Sequence, residues 1–226
     1  MAQVNGDVSF DTIPDAIEAF AKGDFILVMD STSRENEGDL IIAAQDFTPS
    51  KAAFMIHVSS GYLCAPITPS LAAKLELPQM VTQNSDPHRT AYTITIDAAD
   101  PAVTTGIGAH DRSLTCRRLA DPNVTKEAFR RPGHVIPLQA REGGVRQRQG
   151  HTEAAVDFCK LAGKEPVAVI AEMVENGEEV PGRAERGGNF GMMRRDGCLA
   201  FARRYGLKVV TIEDLVAHME SLGGKI

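Results

Sequence analysis

The sequence predicts a mixed α/β (α+β) fold, a layered single domain spanning residues 1–226 with a mixed central sheet flanked by helices. Three observations point there. Short apolar runs alternate with amphipathic stretches along the whole chain, Val167-Ala168-Val169-Ile170-Ala171-Glu172-Met173 is apolar enough for a strand buried on both faces, and no repeat or long linker interrupts the pattern. The direction of the strands is left open by the pattern.

In order, Asp11-Thr12-Ile13-Pro14 opens a helix with a capping side chain and a first-turn proline. Ile13, Ile17, Phe20 and Ala21 share its apolar face, and Gly23 stops it. Residues 25–30 read as a buried strand and 39–44 as another, joined by a segment too long for a tight hairpin, as expected of a functional loop. Thr48-Pro49 starts a helix to about Ser59, Tyr62–Ile67 follows as a strand, and Pro69 opens a short helix ending before Pro78. Thr93–Ile96 alternates as a strand with one wet face, Ser113–Leu119 is helical, and His134–Leu138 is a strand whose Pro137 signals an edge or a bulge. A helix runs from His151 to Gly163 with Ala154, Ala155, Phe158, Leu161 and Ala162 inward. Asn176-Gly177 turns the chain, and the Gly-, Arg- and Glu-rich residues 182–191 form an excursion. A helix over Asp196–Tyr205, a strand over Lys208–Val210 and a helix capped by Thr211 and Asp214 close the chain.

Composition narrows the function. Hydrophobic residues at 43% and charged residues at 24% describe an ordinary globular protein, and a net charge of -6 argues against a general nucleic-acid surface. A local basic cluster still serves an anionic small molecule. No apolar run approaches the roughly 20 residues that span a bilayer, and Met1–Asp7 lacks the pattern of a signal peptide, so the expected compartment is the cytoplasm. Cys64, Cys116, Cys159 and Cys198 contain no Cys-x-x-Cys pair, which speaks against zinc and fits free thiols; the Asn123-Val124-Thr125 sequon carries no weight without secretion. Trp is absent and aromatics are 5%, so stacking platforms for bases are not expected.

Two clusters carry the chemistry. Arg34-Glu35-Asn36-Glu37-Gly38-Asp39 follows a buried strand; if extended, Glu35, Glu37 and Asp39 project to one side, where a cation or basic partner keeps them ionised. A solvated charged loop is the plainer alternative. Arg148-Gln149-Gly150-His151-Thr152-Glu153 opens a helix, whose unpaired N–H groups, a close-approach glycine, a hydroxyl and an arginine suit a phosphate, with His151 as ligand or proton carrier. A simple helix cap with a solvated arginine is the alternative there. Nucleotide-binding glycine loops are missing. Glu172 closes an apolar strand, as a structural ion pair or a catalytic carboxylate. His134 after Pro132-Gly133 is a solvated or a functional residue; His57, His88, His110 and His218 are assigned structural places, and Cys64 a place in the core.

With these residues in view, the chain resembles the 3,4-dihydroxy-2-butanone 4-phosphate synthases of riboflavin biosynthesis, in their single-domain eukaryotic or fungal form. The matching segments are Phe25–Asp39, Gly61–Cys64, Thr104–Asp111, Pro132–Leu138, Gly143–Ala155 and Val209–Leu215. The resemblance implies conversion of D-ribulose 5-phosphate to L-3,4-dihydroxy-2-butanone 4-phosphate and formate with Mg²⁺, for which the histidine ligand suggests that Mn²⁺ substitutes. It implies Glu35 and His151 as metal ligands, and Arg34, Glu35, Asp39, Thr105, Arg148, Gly150, His151, Thr152 and Glu172 at the substrate. His134 and Glu172 match catalytic positions, as do Glu37, Asp39 and Cys64. A homodimer with interface active sites is also implied, Thr105 serving the partner's site. Two departures stand out: Gln149-Gly150 replaces the frequent Gly-Gly, and Gly182–Met193 is longer than in compact bacterial relatives. A fused GTP cyclohydrolase II domain has no room in 226 residues. Another metal-dependent pentose-phosphate aldolase or isomerase, or a non-catalytic sugar-phosphate sensor, uses the same kinds of residue.

Overall fold

The computed structural model describes residues 9–223, so the reading of Met1–Asp7 lies outside the described residues. The elements are α1 (Ile13–Ala21), β1 (Ile26–Met29), β2 (Gly38–Ala43), α2 (Pro49–Val58), β3 (Cys64–Ile67), α3 (Pro69–Lys74), β4 (Ile96–Ala98) and α4 (Ala109–Leu119). They continue with β5 (Phe129–Gln139), α5 (His151–Leu161), β6 (Ala168–Glu172), β7 (Glu178–Glu179), β8 (Arg186–Gly187), α6 (Arg195–Tyr205), β9 (Lys208–Thr211) and α7 (Ile212–Ser221).

Helix starts follow local chemistry. Thr12, Thr48, Thr68 and Thr211 each accept a backbone N–H three residues on, satisfying a donor the helix itself cannot pair. Prolines occupy the first turns of α1, α2 and α3. Seven strands form one mixed sheet in the order β4-β5-β3-β6-β2-β1-β9, and β7 and β8 form a separate ladder, with β8 inside the predicted excursion and β7 just before it. The pairs β1–β9 and β3–β5 are parallel, the others antiparallel.

The sheet is covered on both faces, which explains why its strands read as continuous apolar runs. Because side chains alternate along a strand, Leu27, Leu40, Ile42, Ala65, Val169 and Val209 pack on one side with Met55, Leu119 and Leu199 of α2, α4 and α6. Val28, Ile41, Cys64, Ile170 and Val210 pack on the other with Phe20, Phe158 and Leu215 of α1, α5 and α7. The mixed α/β layering expected from sequence is therefore the fold.

Three local expectations are corrected. The strand placed at Thr93–Ile96 lies at Ile96–Ala98, because Thr93 spends its N–H and hydroxyl on the carbonyl of Pro137 before the regular ladder begins. Pro137 is interior to the sheet, since β5 has β4 on one side and β3 on the other; the irregularity falls instead between Ile96 and Asp97, opposite Arg131–His134. In α1, Ala16 is buried and Ala21 exposed, the reverse of the expected place for Ala21.

Candidate active site

Strand alternation decides which side chains meet. Asp39 and Glu172 are paired across β2 and β6, and each lies two residues from an α5-side core residue, Ile41 and Ile170. Cys64 at the start of β3 pairs with Ile170 on the same side. These residues border a small cleft, with a cavity volume of about 80 Å³, at the N-terminal end of α5, lined by Arg34, Glu35, Glu37, Asp39, Cys64, Thr90, Tyr92, Leu138, Arg148, His151, Thr152, Ile170 and Glu172. The two distant sequence clusters thus face one cavity. A roomier groove beside α1 and α2 offers little chemistry, because its Lys22 and Lys208 are already paired with Glu18 and Asp11.

The carboxylate cluster reaches the cleft by a route the sequence does not display. Residues 31–35 form a turn and Asn36 adopts a left-handed φ of 54°, so Glu35, Glu37 and Asp39 are not presented by one extended strand. Buried Asp30 organises this loop: its carboxylate accepts the N–H groups of Glu35 at 3.0 Å and Glu37 at 2.8 Å, and the Arg34 guanidinium at 2.8 Å. Arg34 also bonds the Glu35 carboxylate.

Charge in the cleft is unbalanced. Burial, then repulsion from Glu172, Glu35 and Glu37, drives the Asp39 carboxyl well above the ordinary range. Burial and Glu35 also raise Glu37, against the partial relief of Arg194 3.9 Å away. Burial pushes the Cys64 thiol well up, so it stands as a neutral thiol and not a thiolate nucleophile. Glu172 accepts the Ser60 hydroxyl at 2.9 Å and lines the cleft, and no ion pair engages it among the described residues.

His151 is buried and its pKa falls to about 4, chiefly through burial, so the ring is neutral at physiological pH. The contact of Nε2 with the Val28 carbonyl at 3.1 Å requires Nε2 to carry the proton. Nδ1 is then a free lone pair, 3.7 Å from Asp39 Oδ1, a buried acceptor with no hydrogen-bond partner. Two electron-rich atoms face each other with nothing between them to satisfy either.

The α5 end is built as the sequence expects. Gly150 caps it without a side-chain bond, leaving its first N–H groups directed outward. A Cβ on Gly150 would fall 2.3 Å from Arg148 Nη1, so glycine is what lets the guanidinium lie across the helix end. Buried Glu153 holds Arg148 at 2.5 Å, with Thr90 Oγ1 and the His88 carbonyl at 3.2 and 3.3 Å.

Three predicted residues are not among those lining this cleft: Gly150, which adjoins it between Arg148 and His151, and Thr105 and His134, which lie apart from it. Thr105 is exposed in a loop tied to Asp111, and His134 contacts Asp97 on the β4–β5 side, so the structure does not bring either beside Glu35 and His151 within one chain. Several participants are missing from the sequence reading. His88, assigned a structural place, approaches Glu35 at 3.5 Å, while Asp30, Thr90, Tyr92 and Glu153 border or brace the cleft. Their neighbourhood depends on loop paths that leave no periodic signal, although the acidic residue three beyond Gly150 could have suggested a clamp for Arg148.

Comparison with known proteins matches this geometry to one family. The model of 3,4-dihydroxy-2-butanone 4-phosphate synthase matches residues 14–218. The chain belongs to the 3,4-dihydroxy-2-butanone 4-phosphate synthase family. The synthase of Pyricularia oryzae is 59% identical over 218 residues, covering 96% of this chain and 93% of the relative. That of Saccharomyces cerevisiae is 48% identical, covering 93% and 99%. A crystal structure of a family synthase in complex with two magnesium ions superposes with a TM-score of 0.93 at 59% identity, covering 96% of this chain and all of that one. Among the described residues no helix is long and apolar enough to cross a membrane, and all four cysteines are unpaired and buried.

Proposed function

We propose that this chain converts D-ribulose 5-phosphate to L-3,4-dihydroxy-2-butanone 4-phosphate and formate, as a cytoplasmic carbon–carbon lyase, with Mg²⁺ or Mn²⁺ held by Glu35 and His151. The observation that carries the reading is the unsatisfied pair of Asp39 Oδ1 and the His151 Nδ1 lone pair, set among Glu35, Glu37 and Glu172. Such a donor set suits a divalent cation, and the Val28 carbonyl orients the imidazole as a backbone group commonly does for a metal-bound histidine. Among the described residues no three His, Cys, Asp or Glu side chains are grouped closely enough to hold a metal by themselves. When bound, the ion supplies Lewis-acid polarisation of the ketose C2 carbonyl, which acidifies the C3 proton.

The remaining roles follow from the chain's own groups. Arg148, Thr152 and the open end of α5 hold the phosphate, and Gly150 gives them room. Arg34 binds the sugar beside Glu35. Asp39 and Glu37, held toward their protonated forms, and Glu172 at the cleft wall exchange protons with the hydroxyls during enolisation, dehydration, rearrangement and loss of C4. His134 and Thr105, exposed away from this cleft, complete the site of a second copy in a homodimer; Ile107, 52% exposed beside Thr105, gives that face an apolar contact.

The test is formate production from ribulose 5-phosphate with and without EDTA, on the wild type and His151→Ala. Stoichiometric formate that disappears with EDTA and in the variant is expected. Glycolaldehyde or ribose 5-phosphate as product would instead mark an aldolase or isomerase, and binding without turnover a sensor. Mixing His151→Ala with His134→Ala after joint refolding restores part of the activity if each site draws on both chains.

A further inference from the structure

The main chain of Glu35, Asn36 and Glu37 is gripped from two sides. From the root of the loop, the Asp30 carboxylate accepts the N–H groups of Glu35 and Glu37, and the Ser31 carbonyl accepts that of Asn36 at 3.1 Å. The Asp30 N–H donates to the Glu37 carbonyl at 3.0 Å. The carbonyls of Glu35 and Asn36 remain, and one atom from far along the chain takes both: Arg194 Nη1 donates to each at 2.8 Å. Two successive carbonyls reach one nitrogen because the chain turns at Asn36, whose φ of 54° is left-handed. A residue other than glycine keeps that conformation only where its surroundings hold it. Every polar main-chain group of the three residues is therefore paired, and Arg194 supplies the donors that the root of the loop lacks.

Arg194 is itself firmly seated. It is the N-cap residue of α6, but its side chain crosses to the loop instead of capping the helix. Before it, the Met193 N–H bonds the Met173 carbonyl at 3.0 Å; after it, Cys198 and Leu199 bury the start of α6 in the core. Cys198 also meets the far end of the loop, where a Cβ on Gly38 would fall 2.9 Å from its Sγ. The adjacent Arg195 turns away and lies over the Phe10 ring, so one of two neighbouring arginines serves the loop. The described residues lining the cleft do not include Arg194, whose guanidinium stops 3.9 Å from the Glu37 carboxylate.

We propose that Arg194 is a positioning residue: by bridging the Glu35 and Asn36 carbonyls it fixes the turn that presents Glu35 and Glu37 to the cleft. The inference rests on the proposed metal role of Glu35, and it gives Arg194 a part in the reaction without contact to substrate. Without the bridge the turn is loose, and a cation must order it on binding, which weakens its hold.

Arg194→Met keeps much of the stem and removes both donors, whereas Arg194→Lys retains a nitrogen able to donate to both carbonyls. Titration with Mn²⁺ alone, followed by the EPR signal of the free ion, is expected to show Kd raised about 10–100-fold in Arg194→Met and partly restored in Arg194→Lys. In the metal-free protein, hydrogen exchange at the Glu35 and Glu37 amides is expected to quicken about tenfold in Arg194→Met, while the Leu40–Ile42 amides of β2 keep their rates. Unchanged exchange at Glu35 and Glu37 overturns the proposal. So does a loss of protection spread equally over β2, the mark of a merely structural residue. Glu35→Gln separates the two levels: unchanged Mn²⁺ affinity there removes Glu35 as a ligand, while the exchange rates still report whether Arg194 holds the turn. With Mn²⁺ binding lost in Glu35→Gln, a Kd in Arg194→Met within about threefold of the wild type also overturns the proposal.

Discussion

Replacing Asp39 with asparagine is expected to make the metal-free protein more stable while destroying turnover. Asp39 Oδ1 is a buried acceptor without a donor, and His151 Nδ1, 3.7 Å away, offers it only a lone pair. A buried unsatisfied group costs about 1–3 kcal/mol, and more when charged. In Asp39→Asn the amide NH₂ can donate to His151 Nδ1, adding a hydrogen bond worth about 1 kcal/mol and removing repulsion from Glu172, Glu35 and Glu37. Arg34 remains paired with Asp30 and Glu35, so no cation is stranded. A net gain of about 2 kcal/mol raises Tm by about 4–8 °C in a chain of this size. The sign with pH follows from the raised carboxyl: its ionised form is penalised above the folded pKa, and the penalty is relieved as protonation sets in on acidification, so the gap between variant and wild type closes as pH falls. Divalent metal reverses the order, because a ligand of the native state stabilises the wild type by about 2.7 kcal/mol at a hundred times Kd and the variant by less. Calorimetric melts in EDTA and in Mg²⁺, at several pH values, provide the check. An Asp39→Asn variant that melts below the wild type in EDTA at about pH 7, or a gap independent of pH, refutes this account of the cleft.

Two further outcomes follow from groups outside the cleft. The Thr104 hydroxyl, aided by the N–H groups of Thr104 and Gly106, pulls Asp111 down to about 2; this stabilisation is fully present above about pH 4 and is lost as pH falls toward 2. Asp111→Asn should therefore lower stability by about 2 kcal/mol at pH 7 in urea titrations, with the difference vanishing near pH 2. Phe158 is fully buried against Phe20 with ring centroids 5.9 Å apart, so Phe158→Ala should cost about 3–5 kcal/mol, read as a lower urea midpoint at unchanged slope.

The elements were legible where chemistry is local. Threonine caps, first-turn prolines and the continuous run of β6 depend on residues a few positions apart, and the structure follows them closely. The strand at Thr93 was misplaced because its hydrogen bonds are spent on Pro137, a partner more than 40 residues away that leaves no local mark. Arg34–Asp39 and Arg148–Glu153 could be recognised as chemical clusters from residue types alone, and the resemblance they carry named the right family. Sequence alone therefore determined the layered class, the family and the inventory of acids, bases and phosphate-binding groups. Tertiary structure decided the rest. Strand register turned Asp39 and Glu172 toward the same face, and burial keeps His151 neutral, its Nδ1 lone pair facing an unsatisfied carboxylate oxygen. The slipped β4–β5 ladder bound His134 to Asp97 away from that cleft, since pairing, burial and loop path are long-range properties that no window of sequence contains.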